Sequence, residues 1–239
     1  MLVLESVDTN ATGANKGIGN GIVELLVQGL KPASHWHVCL TARNEKLGME
    51  AVKALEDRGL SVKFHQLDIT DVNSRHELAE FMEASYPDGI DILVNNAGIA
   101  YKTDSTAPFG EQARVTVATT YTATVKMWTG FLSLMAKDSR LVNVASMAAM
   151  MSLRAMSKEM VAKFKGRLTL QEVDEMIASF IKHEEAGDHK KVGFQFHLRH
   201  VRSADTPVNL ATLPKGVTEP YGQLVSERQV VDVDEEGPL

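Results

Sequence analysis

The residues that most clearly suggest chemistry form a glycine-rich segment near the N-terminus, Thr12-Gly13-Ala14-Asn15-Lys16-Gly17-Ile18-Gly19, followed by an apolar run at 22–30. Glycines at this spacing let a strand turn sharply into a helix and leave backbone N–H groups bare. Those groups and the positive end of the helix can bind a pyrophosphate, although similar turns also serve ordinary packing. The predicted nucleotide-binding residues of this turn are Gly13, Asn15, Lys16, Gly17, Ile18 and Gly19.

Two cations bear on which nucleotide would bind. Arg43 follows the strand-like run 38–42, and the tip of the second strand faces the adenosine ribose in nucleotide-binding folds. A carboxylate at that tip favours a free 2′-hydroxyl, whereas an arginine favours a 2′-phosphate. Because no acid lies at 40–42, Arg43 and Lys16 favour NADPH over NADH. The alternative is that both are ordinary surface cations.

The scaffold for these residues follows from the hydropathy pattern. Predicted strands lie at 38–42, 62–67, 90–94 and 141–145, and predicted helices at 22–30, 45–58 and 71–86. The start is anomalous, because the segment 7–11 before the glycine turn is polar and the strand-like residues 1–4 come several residues too early. The alternation predicts an α/β fold with a parallel sheet.

Polar and small residues follow the predicted strands 62–67 and 90–94. Asp68, followed by Ile69, can accept a hydrogen bond from an adenine amino group or cap the next helix. Asn95 is followed by Ala97 and Gly98, and such small residues let a ligand approach the backbone. An amide there can tie neighbouring strands or bind a ribose. We therefore add these five residues to the predicted nucleotide site.

At these intervals the glycine turn, Asp68 and Asn95-Asn96-Ala97-Gly98 resemble the short-chain dehydrogenase/reductase family. The segments 41–43, 64–69, 95–102 and 222–228 resemble its monomeric NADPH-dependent carbonyl reductases more closely. The resemblance covers 12 to about 192 and about 204–228. It implies a doubly wound, Rossmann-like parallel sheet. It also implies NADPH as cofactor, a small-molecule carbonyl substrate and a monomer.

By the same resemblance, Ser146 stands at the catalytic serine, whose hydroxyl donates to the substrate carbonyl. A serine at a strand end otherwise serves as a turn residue or a helix cap. Residues from about 147 to 190 resemble the insertion that precedes the family's catalytic tyrosine. Within it, Thr169-Leu170-Gln171-Glu172 predicts a helix that begins with a capping box.

The family's proton donor is missing from the chain. In the family a tyrosine supplies the proton and a lysine four residues later lowers its pKa. None of the four tyrosines, Tyr86, Tyr101, Tyr121 and Tyr221, has a lysine at that spacing. Thr120 occupies the position of the family's asparagine, which anchors a water relay.

Between the two matching parts only 194–203 remains, where the family has its catalytic helix and sixth strand. We therefore expect a sheet that is incomplete in the C-terminal half, through exon skipping, a gene-model error or decay of a paralogue. His197 and His200 lie in this junction and could serve as general acids, but exposed imidazoles are the simpler interpretation. No cysteine or suitable carboxylate accompanies them, so we predict no metal site.

Composition limits the remaining possibilities. A chain of 239 residues with 44% hydrophobic content predicts one domain, 1–228, and an acidic, disordered tail, 229–239. A net charge of −6 and a pI near 5.8 indicate no nucleic-acid partner. The single cysteine, Cys39, excludes an internal disulfide, and no apolar run is long enough for a membrane span, so we expect a cytoplasmic protein.

Two functions are compatible with the family resemblance and with the missing tyrosine and lysine. The first is an oxidoreductase by lineage, which transfers hydride from NADPH to ketones, aldehydes or quinones, with turnover doubtful without the tyrosine and lysine. The second is a non-catalytic NADP-binding relative, or a truncated isoform, that acts as a binding or regulatory protein.

Overall fold

A five-stranded parallel sheet organises the computed structural model, which describes residues 7–30, 35–102, 104–194, 225–226 and 229–230. The spatial order is β3-β2-β1-β4-β5. The strands are β1 Val7–Ala11, β2 Trp36–Ala42, β3 Lys63–Gln66, β4 Ile90–Asn95 and β5 Met135–Asn143. The order reverses between β1 and β4, which is the place where doubly wound sheets bind ligands.

Helices cover both faces of this sheet within the first compact unit, which contains the described residues up to 98, residues 122–144, and residues 225–226 and 229–230. Its helices are α1 Gly17–Gly29, α2 Glu45–Glu56, α3 Val72–Ser85 and α5 Thr124–Phe131. One core cluster joins α1 and α2 to residues such as Leu40 and Val94, and the other joins α3 and α5 to Cys39 and Leu93. Neighbouring strand residues thus point to opposite faces, and the predicted doubly wound α/β fold is confirmed.

The second compact unit contains described residues within 99–121 and 145–194. Its α-helices are α4 Phe109–Val117, α6 Met147–Ala155, α7 Lys158–Lys165 and α8 Leu170–Glu185. Thr169 and Glu172 form the predicted capping box at the start of α8. The helix α4 packs on α8, and Arg114 contacts Glu185 at 2.6 Å across this pair.

Two strands differ from the sequence-based expectation. The polar segment Val7–Ala11 itself forms β1, so strand pairing with β2 and β4 outweighs its low hydropathy. The fifth strand begins at Met135 instead of 141 and ends at Asn143. Its register against β4 shifts between Ile90 and Ile92, and the pairs that follow begin at Arg140.

Several predictions concern residues outside the described part of the chain. Residues 1–6 and 195–224 lie there, and with them most of the junction at 194–203, including His197 and His200. Val225–Ser226 pairs antiparallel with Gln229–Val230, the first two residues of the predicted tail. The single domain over 1–228 and the disordered tail therefore stay predictions.

One buried polar residue in β1 has a consequence for stability. Asn10 is fully buried in register with Cys39 and Leu93, and neither polar atom of its side chain has a hydrogen-bond partner among the described residues. An unpaired buried amide costs about 1–3 kcal/mol. We therefore expect Asn10→Val to raise the free energy of unfolding by about that amount, measured by urea denaturation.

Thr41→Val is the matched control for this prediction. The Thr41 hydroxyl is also fully buried, but it donates to the Ala11 carbonyl at 3.0 Å. Removing this satisfied bond should lower the free energy of unfolding by about 0.5–1.5 kcal/mol. If Asn10→Val also destabilised the protein, the amide of Asn10 would have a partner in solution.

Candidate nucleotide-binding site

The predicted nucleotide-binding residues lie along one edge of the sheet. Gly13 and its neighbours follow β1, Arg43 follows β2, Asp68 follows β3, and Asn95 ends β4. Because all these strands are parallel, their carboxyl ends lie at the same edge. The structure therefore brings together residues that lie more than 80 positions apart in the chain.

The three glycines of the turn have different structural roles. Gly13 and Gly17 both adopt φ +60°, a conformation that residues with a side chain rarely adopt. A Cβ at Gly13 would lie 2.9 Å from the Ala97 Cα, and a Cβ at Gly19 would lie 2.5 Å from the Asn96 amide nitrogen. At Gly17 an added Cβ would meet no atom within 4 Å. Packing thus explains Gly13 and Gly19, whereas Gly17 faces open space.

A hydrogen-bonded connection between β1 and β4 holds the turn in place. The Thr12 hydroxyl accepts from the backbone N–H groups of Asn96 and Ala97, both at 2.9 Å. The Asn96 amide donates to the Thr12 and Gly13 carbonyls at 2.9 and 3.2 Å. Thr12 and Asn96 are not among the predicted site residues, although both lie in the two segments, 12–19 and 95–98, that carry the prediction.

The first turn of α1 is open to an anion. The helix begins at Gly17, the Lys16 side chain does not cap it, and no acidic residue lies in its first turn. The Lys16 side chain is exposed, while Asn15 and Ile18 are half-buried, and Ile18 packs against the core beneath α1. A pyrophosphate fits such a site, because bare N–H groups, the helix dipole and a lysine all favour negative charge.

At the tip of β2, the Arg43 guanidinium has no partner among the described residues. The Arg43 residue is exposed, and its backbone carbonyl accepts from the Gln66 amide at 3.0 Å. This bond fixes the backbone that carries the guanidinium and uses none of the guanidinium donors. The geometry is therefore compatible with the predicted 2′-phosphate contact.

Asp68 does not cap α3, contrary to one of its two predicted roles. Its carboxylate accepts from the Thr70 backbone N–H at 2.9 Å and from the Thr70 hydroxyl at 2.6 Å. The residue that caps α3 is Asp71, which accepts from the Asn73 N–H at 2.9 Å. The cap prediction failed because the chain makes a further turn after β3. Ile69 is buried in the core, with 5% of its surface exposed.

Asn95 ties two strands together at the same edge. Its side-chain nitrogen donates to the Asn143 side-chain oxygen at 3.0 Å, which joins the ends of β4 and β5. Its own side-chain oxygen is buried and has no partner among the described residues. Ala97 contacts the glycine turn, and Gly98 is exposed.

Ser146 belongs to the second compact unit, where it directly precedes α6. It is exposed, and its backbone carbonyl accepts from the Ala149 N–H at 2.9 Å, as expected of a residue at a helix start. Thr120 lies in a π-helical turn, Ala118–Ala123, with its hydroxyl 3.4 Å from both the N–H and the carbonyl of Ile99. Such turns are frequent at functional sites.

The environment of the neighbouring Tyr121 does not suit an acid catalyst. The Tyr121 hydroxyl donates to the Asp174 carboxylate at 2.9 Å. Burial, together with this carboxylate, raises the pKa of Tyr121 to about 12, the opposite of what a catalytic phenol needs. Among the described residues no group of three potential ligands could hold a metal ion, and no helix of this part could span a membrane.

Comparisons with known proteins agree with this geometry. The short chain dehydrogenase family matches residues 10–174 of the chain. A chain with this sheet, this glycine turn and this match belongs to the short-chain dehydrogenase/reductase family. The predicted family and the Rossmann-like fold are thereby confirmed.

Within that family, the chain is similar to several named reductases. Carbonyl reductase [NADPH] 1 of Bos taurus is 34% identical over 92% of this chain and 96% of its own length. The Homo sapiens protein of the same name is 33% identical, with 92% and 95% covered. The solved salutaridine reductase of Papaver somniferum has a TM-score of 0.67 at 26% identity, covering 78% of this chain and 74% of its own.

Gly17 provides a test of the nucleotide site that separates binding from stability. Gly17→Ala puts a Cβ into the open space at φ +60°, which strains the backbone by about 1–2 kcal/mol and obstructs the pyrophosphate position. We expect NADPH affinity, measured by fluorescence titration, to fall at least about tenfold, or 1.4 kcal/mol.

Gly59→Ala is the matched control. Gly59 has φ +77° and also has no atom within 4 Å of an added Cβ, but it follows α2 instead of preceding α1. This variant should lose similar stability and keep its NADPH affinity. Equal loss of affinity in both variants would mean that Gly17 acts only through stability.

Proposed function

We propose that this chain binds NADPH at the sheet edge described above and descends from enzymes that reduce ketones, aldehydes or quinones. In this proposal its own turnover is at background level. The observation that carries the binding part is the uncapped N-terminus of α1 beside Gly17, which faces open space. The names of the relatives, carbonyl reductase [NADPH] 1, support the cofactor and the class of reaction.

Each part of the site has a separate role in this proposal. Gly13, the segment 15–19 and the α1 dipole hold the pyrophosphate, while Lys16 and Arg43 contact the 2′-phosphate. Asp68 and Ile69 border the adenine, and Asn95, Ala97 and Gly98 border the ribose. When bound, NADPH supplies the hydride for carbonyl reduction. Ser146 is the residue that would donate a hydrogen bond to the carbonyl.

Turnover at background follows from the missing proton donor. General acid catalysis contributes about 10² to 10⁴ fold to a rate, and no tyrosine of the chain has the required lysine. The comparison with the Bos taurus relative runs over 270 positions, more than the 239 residues of this chain, so the relative carries residues without a counterpart here. Their absence supports a deletion and a sheet incomplete in the C-terminal half.

The second candidate is a non-catalytic NADP-binding relative or truncated isoform that acts as a binding or regulatory protein. The missing Tyr-x-x-x-Lys motif favours this candidate. Binding of the adenosine half of the nucleotide does not depend on that motif, whereas catalysis does. A monomer in the cytoplasm is part of either proposal. The free, buried Cys39, whose pKa burial raises to about 12, is compatible with a reducing compartment.

The adenosine half should supply most of the binding. We expect adenosine 2′,5′-bisphosphate to compete with NADPH with a Kd within about tenfold of that of NADPH, since tenfold is only 1.4 kcal/mol. Competition in a fluorescence titration measures this ratio. A much tighter Kd for NADPH would mean that the nicotinamide end is still held.

Arg43 provides the internal control for that titration. Arg43→Ala removes a charged donor to the 2′-phosphate, worth about 1.5–3 kcal/mol, so NADPH should lose at least tenfold in affinity and NADH much less. Lys46→Ala removes an exposed cation in the first turn of α2 and should change neither. If Arg43→Ala lowered the affinities for NADPH and NADH equally, Arg43 would not contact the 2′-phosphate.

Catalysis is tested by NADPH oxidation with a quinone or an aromatic aldehyde, beside a carbonyl reductase that has the complete motif. We expect a rate indistinguishable from the reaction without enzyme, and no further decrease in Ser146→Ala. A rate well above background that Ser146→Ala abolishes would overturn the inactive assignment. NADPH binding without oxidation would separate the binding proposal from the catalytic one.

A further inference from the structure

The second compact unit contains an apolar cavity between α4 and α8, with about 410 Å³ of open space, its mouth included. The lining residues are Tyr101, Phe109, Gln112, Ala113, Thr116, Val117, Phe180 and Glu184. Most of the lining surface is apolar, and three of its residues are aromatic. None of these residues belongs to the predicted nucleotide site, and Ser146 is not among them.

Glu184 is an unusual residue to line such a cavity. Only 4% of its surface is exposed, and both carboxylate oxygens are buried without a hydrogen-bond partner among the described residues. The His189 Nδ1 lies 3.2 Å from one of these oxygens, but not in hydrogen-bonding geometry. Burial raises the pKa of the Glu184 carboxyl, while His189 and Lys190 act in the opposite direction.

A buried carboxylate without donors is costly, and the one imidazole contact, at 3.2 Å, involves a single oxygen. A ligand ammonium would bring two or three N–H donors and an opposite charge to this group. The aromatic rings of the lining would attract the same cation and cover an apolar body. A neutral ligand would supply weaker donors, and an anionic ligand would be repelled.

We propose that this cavity binds a small organic ammonium compound with an apolar body, whose N–H groups donate to the Glu184 carboxylate. The proposal is independent of the nucleotide site, because loss of NADPH binding or of turnover leaves the cavity residues unchanged. Gln112 does not compete for the ligand charge, since its side-chain nitrogen donates to the Ala107 carbonyl at 2.8 Å.

Three ligands of nearly the same shape test the charge requirement on the full chain. Benzylamine is a cation at neutral pH, benzyl alcohol is neutral and benzoate is an anion. Isothermal titration calorimetry should give benzylamine an affinity at least tenfold above that of benzyl alcohol, and no binding of benzoate. Equal affinity for the amine and the alcohol, or no binding of the amine, would overturn the proposal.

Glu184→Gln tests the residue, because it keeps the shape and removes the charge. We expect this variant to lose the tenfold preference for benzylamine over benzyl alcohol. Glu175→Gln makes the same change at an exposed position of α8 and should keep the preference. A preference that persists in Glu184→Gln would overturn the proposal. If Glu184→Gln does not fold, the affinities of the three ligands for the unaltered chain test the proposal by themselves.

Discussion

The hydrogen bonds between Thr12 and Asn96 are the interaction on which the candidate site depends. They join the residue after β1 to the residue after β4, across the point where the strand order reverses. The close approach of Gly13 to Ala97 lies at this same connection. A nucleotide site of this kind therefore depends on two strands held in register. The glycine turn is the part of it that can be recognised in the sequence.

Two buried polar side chains, one in each compact unit, bear on the stability of the chain. The amide of Asn10 in the first unit and the carboxylate of Glu184 in the second both lack hydrogen-bond partners among the described residues. Each is an expensive feature in a protein whose total stability is about 5–15 kcal/mol. Of the two, Glu184 borders the apolar cavity between α4 and α8. Only the second therefore carries a hypothesis about a ligand.

Local patterns predicted most elements correctly because their signals lie within a few residues. The C-terminal glycine after α2, the capping box of α8 and the fourth strand follow from spacing alone. The predictions that failed depended on partners distant in the chain. The polar residues 7–11 form a strand because β2 and β4 pair with them on both sides, and Asp71 replaces Asp68 as the α3 cap because the chain turns once more.

By itself the sequence determined the family, the alternation of strands and helices, and the absence of a Tyr-x-x-x-Lys motif, since all of these are properties of residue order. The tertiary structure decided which glycine faces open space, which amide ties β4 to β5, and that Glu184 lies buried at a cavity. Residue order could not decide these points, because each depends on atoms that folding brings together from distant parts of the chain.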